Sequence, residues 1–313
     1  MSKPLAIQLC PFSPYLTEAL VARFELWPWF ERNDGQRDAL LADRGGAIRA
    51  VVTGGHIGCP NDLIDRLSAP AVIAINGVGF DKVDLDHARA AGMRVTNTPD
   101  VLTEDVADLA VGLIIGLLRA LPAADRHVRD GRWPDGEVPL GRKVSGRRFG
   151  IVGLGRIGSA IAARVAPFGA VSYTDLAAKP AAWRFVPDLI ELAMSSDVLI
   201  LASAANGATR HLVGREVLEA LGPDGYLVNV ARGSLIDEQA LAAALEEGRI
   251  AGAALDVFEN EPHVPEALRA NGRLMLSPHI ASATVETRTA MAELVLANLD
   301  AFVSGRDLPT PVA

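Results

Sequence analysis

The chain has 313 residues, half of them hydrophobic, enough for about two domains with real cores. A net charge of -8 argues against broad contact with nucleic acid or an anionic membrane, while leaving room for a local basic pocket for a small anion. The two cysteines, Cys10 and Cys59, lack metal-ligand or CxxC spacing, which disfavours a disulfide framework.

The opening "MSKPLAIQLCPFSP" has a short apolar run broken by prolines. It reads as a first strand rather than a signal peptide, and a cytoplasmic soluble protein is expected. Buried strands are then expected at "AIRAVVTG", "AVIAING" and "MRVTNTP". Helices at "CPNDLIDRLSA" and "LDHARAAG" lie between them. This β-α alternation predicts a parallel sheet covered on both faces.

A long helix is expected from about Thr103. Its segment "VADLAVGLIIGLLRALP", residues 106 to 122, is apolar nearly all round. A membrane span needs roughly 20 such residues. This run is shorter and includes Asp108 and Arg119, so a buried or interfacial helix is expected. Gly112 and Gly116, one turn apart, would permit close approach of another helix, including one from a second copy. Residues 126 to 146 are rich in glycine, proline and charge and read as loop.

A second alternating set starts at "RRFGIVGLG" and runs through "VSYTD", "VLILAS", "YLVNVA", "GAALDV" and "RLMLSP". The final helix, "ETRTAMAELVLANLDAFVSG", follows the second sheet and can return to the first domain. The expected architecture is therefore α/β with two doubly wound parallel-sheet domains. A discontinuous substrate domain would span 1–99 and 284–313, and a Rossmann dinucleotide-binding domain 100–283.

Within "GIVGLGRIGSAIAARV", Gly153, Gly155 and Gly158 form GxGxxG between an apolar strand and an alanine-rich helix. Gly153 would allow the tight turn and Gly155 the approach of a pyrophosphate. Gly158 would allow close packing of helix on strand. The helix N-terminus offers N–H groups to the phosphates. Leu154, Arg156 and Ile157 complete the loop. Asp175, at the end of the next strand, can accept both ribose hydroxyls of NAD and repels the extra phosphate of NADP. NAD is expected over NADP, although Lys179 lies close by in sequence.

Arg232, Glu261 and His279 each follow a predicted strand, at the sheet edge that lines the ligand crevice in open α/β folds. Arg232 could clamp a carboxylate and polarise an adjacent carbonyl. His279 could supply a proton to the oxyanion formed by hydride delivery, and Glu261 would favour the imidazolium. His56, His87, His127, His211 and His263 lack such placement, although His56 in "TGGHIG" could face the cleft.

These motifs carry a resemblance. "GLGRIG", the run from Asn229 to Pro262, "SPHIASAT" and "NTPDVLTEDVADLA" resemble the D-isomer-specific 2-hydroxyacid dehydrogenases, and most of all their glyoxylate/hydroxypyruvate reductase branch. The resemblance implies NAD(P)-dependent reduction of a small 2-oxo acid to the D-2-hydroxy acid, with Arg232, Glu261 and His279 as the catalytic set. It implies that Val78 and Gly79 bind the substrate carboxylate through backbone N–H groups. It implies that Asp256 and the backbone near Val230 and Ala231 hold the nicotinamide carboxamide. It also implies a homodimer through the cofactor domains, with Trp133 a candidate to reach the partner's active site.

Two departures bear on the cofactor. Ser203 and Ala204 stand where many relatives have Cys-Pro or His-Pro beside the adenosine. "YTDL" stands where NADP-preferring members carry Ser or Arg. No metal is implied. A reductase of an aromatic 2-oxo acid or of 2-ketogluconate, and an NAD-sensing interaction protein with little turnover, are the alternatives. The length disfavours the extra regulatory domain of long phosphoglycerate dehydrogenases.

Overall fold

The computed structural model describes residues 3–67 and 70–312. Two compact units form, Met1–Leu102 with Ala283–Ala313, and Thr103–Ser282. The breaks fall where the helix Thr103–Leu118 begins and just before Thr284, the N-cap of helix Val285–Val303.

The first unit holds five parallel strands: β1 (Leu5–Gln8), β2 (Glu25–Pro28), β3 (Ile48–Gly54), β4 (Val72–Asn76) and β5 (Arg94–Thr96). They are ordered β2-β1-β3-β4-β5. This is the flavodoxin-like order. Side chains alternate across a strand, so a sheet covered on both faces needs apolar residues at successive positions. In β4, Val72 and Ala74 pack with Leu16, Leu20, Val295 and Leu299. Ile73 and Ile75, on the other face, pack with Leu41, Leu63, Ile64 and Ala88. The returning helix Val285–Val303 thus belongs to the first unit's core.

The second unit holds β6 (Phe149–Val152), β7 (Val171–Thr174), β8 (Arg184–Phe185), β9 (Val198–Leu201), β10 (Tyr226–Asn229), β11 (Gly252–Leu255) and β12 (Leu274–Leu276). All pairs are parallel, in the order β12-β11-β10-β9-β6-β7-β8. The chain moves outward from β6 in both directions, so β6 and β9 flank the topological switch point. A crevice for ligands opens there, beyond the carboxyl ends of the strands.

Several expectations change. Residues 126 to 146 are not all loop: helix Leu121–Arg129 runs into them, and a short 3-10 turn spans Trp133–Asp135. An Asp125–Arg129 pair one turn apart, at 2.8 Å, supports this polar helix. The edge strands β2 and β8 are not among the expected strands: both are short and neither has a buried residue. The helix expected over "CPNDLIDRLSA" is a single turn, Asn61–Ile64, and the end of that expectation, at Ser68 and Ala69, lies outside the described residues. In the helix Thr103–Leu118, a Cβ on Gly116 would lie 2.8 Å from the Met275 sulfur, whereas one on Gly112 would meet nothing. Gly116 therefore admits β12 and Gly112 faces open space. Among the described residues no single helix is long and apolar enough to cross a membrane.

Candidate active site

The glycine loop connects β6 to helix Arg156–Val165. Gly153 adopts φ 91°, open to glycine at little cost, and a Cβ there would come 2.6 Å from the Ser203 backbone. A Cβ on Gly158 would sit 1.9 Å from the Gly153 carbonyl oxygen, so only glycine lets this helix close on the loop. Around Gly155 a Cβ would meet nothing, and no side chain caps the helix there. The loop thus leaves backbone N–H groups and space together, as a phosphate requires. Leu154 is buried, Ile157 half-buried and Arg156 exposed.

Asp175 follows β7. Its Oδ2 accepts from the Leu154 amide at 2.8 Å and its Oδ1 from the Leu176 amide at 2.8 Å. Lys179 Nζ lies 2.7 Å from Oδ2. Burial works against ionisation of Asp175, but Lys179 and the two amides outweigh it, and the carboxyl is held below its ordinary value. Across the switch point the buried Ser203 hydroxyl oxygen has no hydrogen-bond partner among the described residues, and Ala204 beside it is exposed. A polar atom left this way in a crevice suits a ligand that brings its own polar groups. Open N–H groups, a ribose-height carboxylate and an orphaned hydroxyl fit a nicotinamide dinucleotide.

The three residues after β10, β11 and β12 stand on interlocked loops. Asn229, fully buried at the end of β10, accepts from the Ala231 amide at 3.0 Å and donates to the Arg232 carbonyl at 2.8 Å. That clamp fixes the turn carrying half-buried Arg232, with Val230 buried beneath it. Gly233 lies flat against the next loop, where a Cβ would be 1.9 Å from the Phe258 carbonyl carbon. The Phe258 amide donates to Glu261 Oε1 at 3.0 Å, and Glu261 Oε2 lies 2.7 Å from His279 Nδ1. The Arg232 loop is thereby packed on the loop that bears Glu261, which in turn holds His279.

Asp256 is wholly buried at the end of β11. Its carboxylate accepts from Ser277 Oγ at 2.6 Å and from the amides of Ile280 and Ala281 at 2.9 Å each. Its carbonyl accepts from the His279 amide at 2.8 Å. His279 itself takes φ 52°, a left-handed conformation uncommon outside glycine, which this ring of bonds sustains.

Sequence reading missed Asn229, Ser277 and a second His–Glu contact, His211 Nε2 to Glu259 Oε1 at 3.0 Å. Burial opposes ionisation of Glu259, yet His211 and Arg210 hold its carboxyl low. Glu238, buried nearby, accepts from the Glu259 amide at 2.8 Å. Burial, with the charges of Glu259 and Glu261, pushes its carboxyl up. A polar residue ending an apolar strand, as in "YLVN", was the available signal for Asn229. Burial pushes the thiol of Cys10 to about 11 and that of Cys59 to about 12.

In the first unit, Asn97 Nδ2 donates to the Val78 carbonyl at 2.8 Å and the Thr98 amide to the Gly77 carbonyl at 2.9 Å. Among the described residues, no hydrogen bond occupies the amides of Val78 and Gly79.

A model of the NAD-binding domain of D-isomer-specific 2-hydroxyacid dehydrogenases matches residues 111–281. Glyoxylate/hydroxypyruvate reductase A of Arabidopsis thaliana is 48% identical over 98% of both chains. Hydroxyphenylpyruvate reductase of Plectranthus scutellarioides is 47% identical, again over 98% of both. A solved structure of the NADPH-dependent glyoxylate/hydroxypyruvate reductase of Sinorhizobium meliloti, with NADP and malonate, superposes with a TM-score of 0.92 at 42% identity. That match covers 100% of this chain and 97% of that one.

Proposed function

The chain belongs to the D-isomer-specific 2-hydroxyacid dehydrogenases, an NAD(P)-dependent oxidoreductase family, and we propose that it reduces glyoxylate or hydroxypyruvate to the corresponding 2-hydroxy acid. The observation that carries the reading is the 2.7 Å contact between His279 and Glu261, set on loops at the same sheet edge as the glycine loop.

When bound, a reduced nicotinamide supplies hydride to the substrate carbonyl carbon. The chain supplies the rest. Glu261 fixes the imidazole through Nδ1, so Nε2 is the atom that passes a proton to the nascent alkoxide. Arg232 pairs with the substrate carboxylate and polarises the carbonyl, stabilising charge that grows in the transition state. In the first unit, Val78 and Gly79 offer amide N–H groups to the same class of anion. Gly153, Gly155 and Gly158 receive the pyrophosphate, Asp175 the adenosine ribose, and Ser203 and Ala204 border the adenosine. Backbone groups at Val230 and Ala231 meet the carboxamide. Asp256, with its carboxylate engaged by three loop donors, serves that end chiefly by holding the loop of His279.

NAD is the favoured cofactor, because Asp175 stands where a 2′-phosphate would sit. A homodimer through the second unit is supported by the exposed apolar side chains of residues 121–140, including Leu121, Val128, Trp133 and Leu140. Trp133, 67% exposed, is the candidate to border the partner's site.

A larger substrate is the second reading, favoured by the near-equal identity to a hydroxyphenylpyruvate reductase. Oxidation of NADH and NADPH against glyoxylate, hydroxypyruvate, 4-hydroxyphenylpyruvate and 2-ketogluconate tests both. The highest kcat/KM is expected with one of the first two. Higher kcat/KM for 4-hydroxyphenylpyruvate would select the second reading, and silence across the panel would remove both.

A further inference from the structure

Asp175 does not stand alone at the ribose position. Lys179 Nζ lies 2.7 Å from its Oδ2 and donates to the Leu154 carbonyl at 3.0 Å. The ammonium therefore bridges the ribose carboxylate and the glycine loop itself. Its place is built by the fold. The Lys179 amide donates to the Tyr173 hydroxyl at 2.8 Å, and that hydroxyl donates to the Lys179 carbonyl at 3.2 Å. Tyr173 is 1% exposed and its ring packs on Phe185. One buried tyrosine thus pins the backbone of a lysine whose head reaches the cofactor crevice.

Two consequences follow for a dinucleotide. An ammonium has three donors, and two are engaged here, so one remains for an incoming oxygen. The positive charge beside Asp175 also offsets the repulsion that a lone carboxylate exerts on a 2′-phosphate, since the two act over similar distances with opposite sign. The Lys179 side chain is 39% exposed, so it can pivot from carboxylate to phosphate without leaving solvent.

We propose that Lys179 is a second cofactor-specificity residue, which neutralises Asp175 and receives the 2′-phosphate of NADPH, making the chain a user of both cofactors. This rests on the dinucleotide reading of the glycine loop given above. It runs against the rule that a carboxylate at this position excludes NADPH.

The test is a double-mutant cycle on the full chain: wild type, Lys179→Met, Asp175→Asn and the double variant. For each, kcat/KM is measured with NADH and NADPH at saturating 2-oxo acid, and each dinucleotide's Kd by fluorescence titration. Wild type is expected to use NADPH within about a hundredfold of NADH. Lys179→Met is expected to lower the NADPH-to-NADH ratio about tenfold, in Kd as in kcat/KM, and Lys179→Arg to retain most of it. Asp175→Asn is expected to raise the ratio about tenfold, and the double variant to lie about tenfold below Asp175→Asn, near wild type, because the phosphate contact of Lys179 is lost in either background. A ratio within twofold of wild type in Lys179→Met, or a gain from Asp175→Asn that survives in full in the double variant, overturns the proposal while leaving the dinucleotide reading intact. Failure of the folded wild type to bind either dinucleotide overturns both.

Discussion

The imidazole Nδ1 of His279 and the carboxylate Oε2 of Glu261 lie 2.7 Å apart, although 18 positions separate them in the chain. Glu261 is itself steadied by the Phe258 amide, and His279 by the carbonyl of Asp256. The pair is therefore preorganised from both ends before any substrate arrives.

Removal of the imidazole in His279→Ala should lower kcat about 10²- to 10⁴-fold, the usual worth of positioned acid catalysis. Dinucleotide Kd should move less than threefold. Glu261→Gln keeps the shape and removes the charge, and should lower kcat about ten- to a hundredfold. Steady-state kinetics with a fluorescence titration decide it; turnover within threefold of wild type in His279→Ala would take the imidazole out of the proton step.

Arg232 should act on binding and chemistry together. Arg232→Ala should raise KM and lower kcat, because a carboxylate clamp that also polarises the carbonyl serves ground and transition states alike. Arg232→Lys should recover only part of the loss, since a lysine cannot reproduce a two-pronged guanidinium contact. A KM rise with kcat untouched would confine Arg232 to ground-state binding.

Gly158→Ala tests the loop. The added methyl would start 1.9 Å from the Gly153 carbonyl, so helix and loop must separate. A loss of about 1–3 kcal/mol in unfolding free energy is expected, as for overpacking elsewhere, together with at least tenfold weaker dinucleotide binding. Unfolding and NADH titrations on the same sample read the two effects, and NADH affinity equal to wild type would show that the cofactor does not use this loop.

Glu238 gives a pH dependence with a definite sign. Burial, with Glu259 and Glu261 close by, raises its carboxyl above the unfolded value. Between those two values the native state binds more protons than the unfolded one, so stability falls as pH rises through the window. Glu238→Gln can still accept from the Glu259 amide, as Oε1 of Glu238 does at 2.8 Å, and no longer titrates. Its Tm should decline less than wild type between pH 5 and pH 8, and above the window it should be the more stable protein. Parallel Tm-against-pH curves for the two proteins would refute this.

The sequence by itself determined the periodic parts: buried strands such as the apolar run "AVIAI" at Ala71–Ile75, the glycine loop Gly153–Gly158, the helix from Thr103, and the positions of Arg232, Glu261 and His279 after strands. These are legible because local spacing alone sets which face is buried and where a turn needs glycine. It did not determine the edge strands Glu25–Pro28 and Arg184–Phe185 or the polar helix Leu121–Arg129, where little apolar surface is buried. Only the tertiary structure decided that Asn229 clamps the Arg232 turn, that Asp256 binds the loop of His279, and that Lys179 covers Asp175. The physical reason is distance along the chain. Hydrogen bonds act over about 3 Å, and which groups come that close is set by the order and register of parallel strands, which no local pattern encodes.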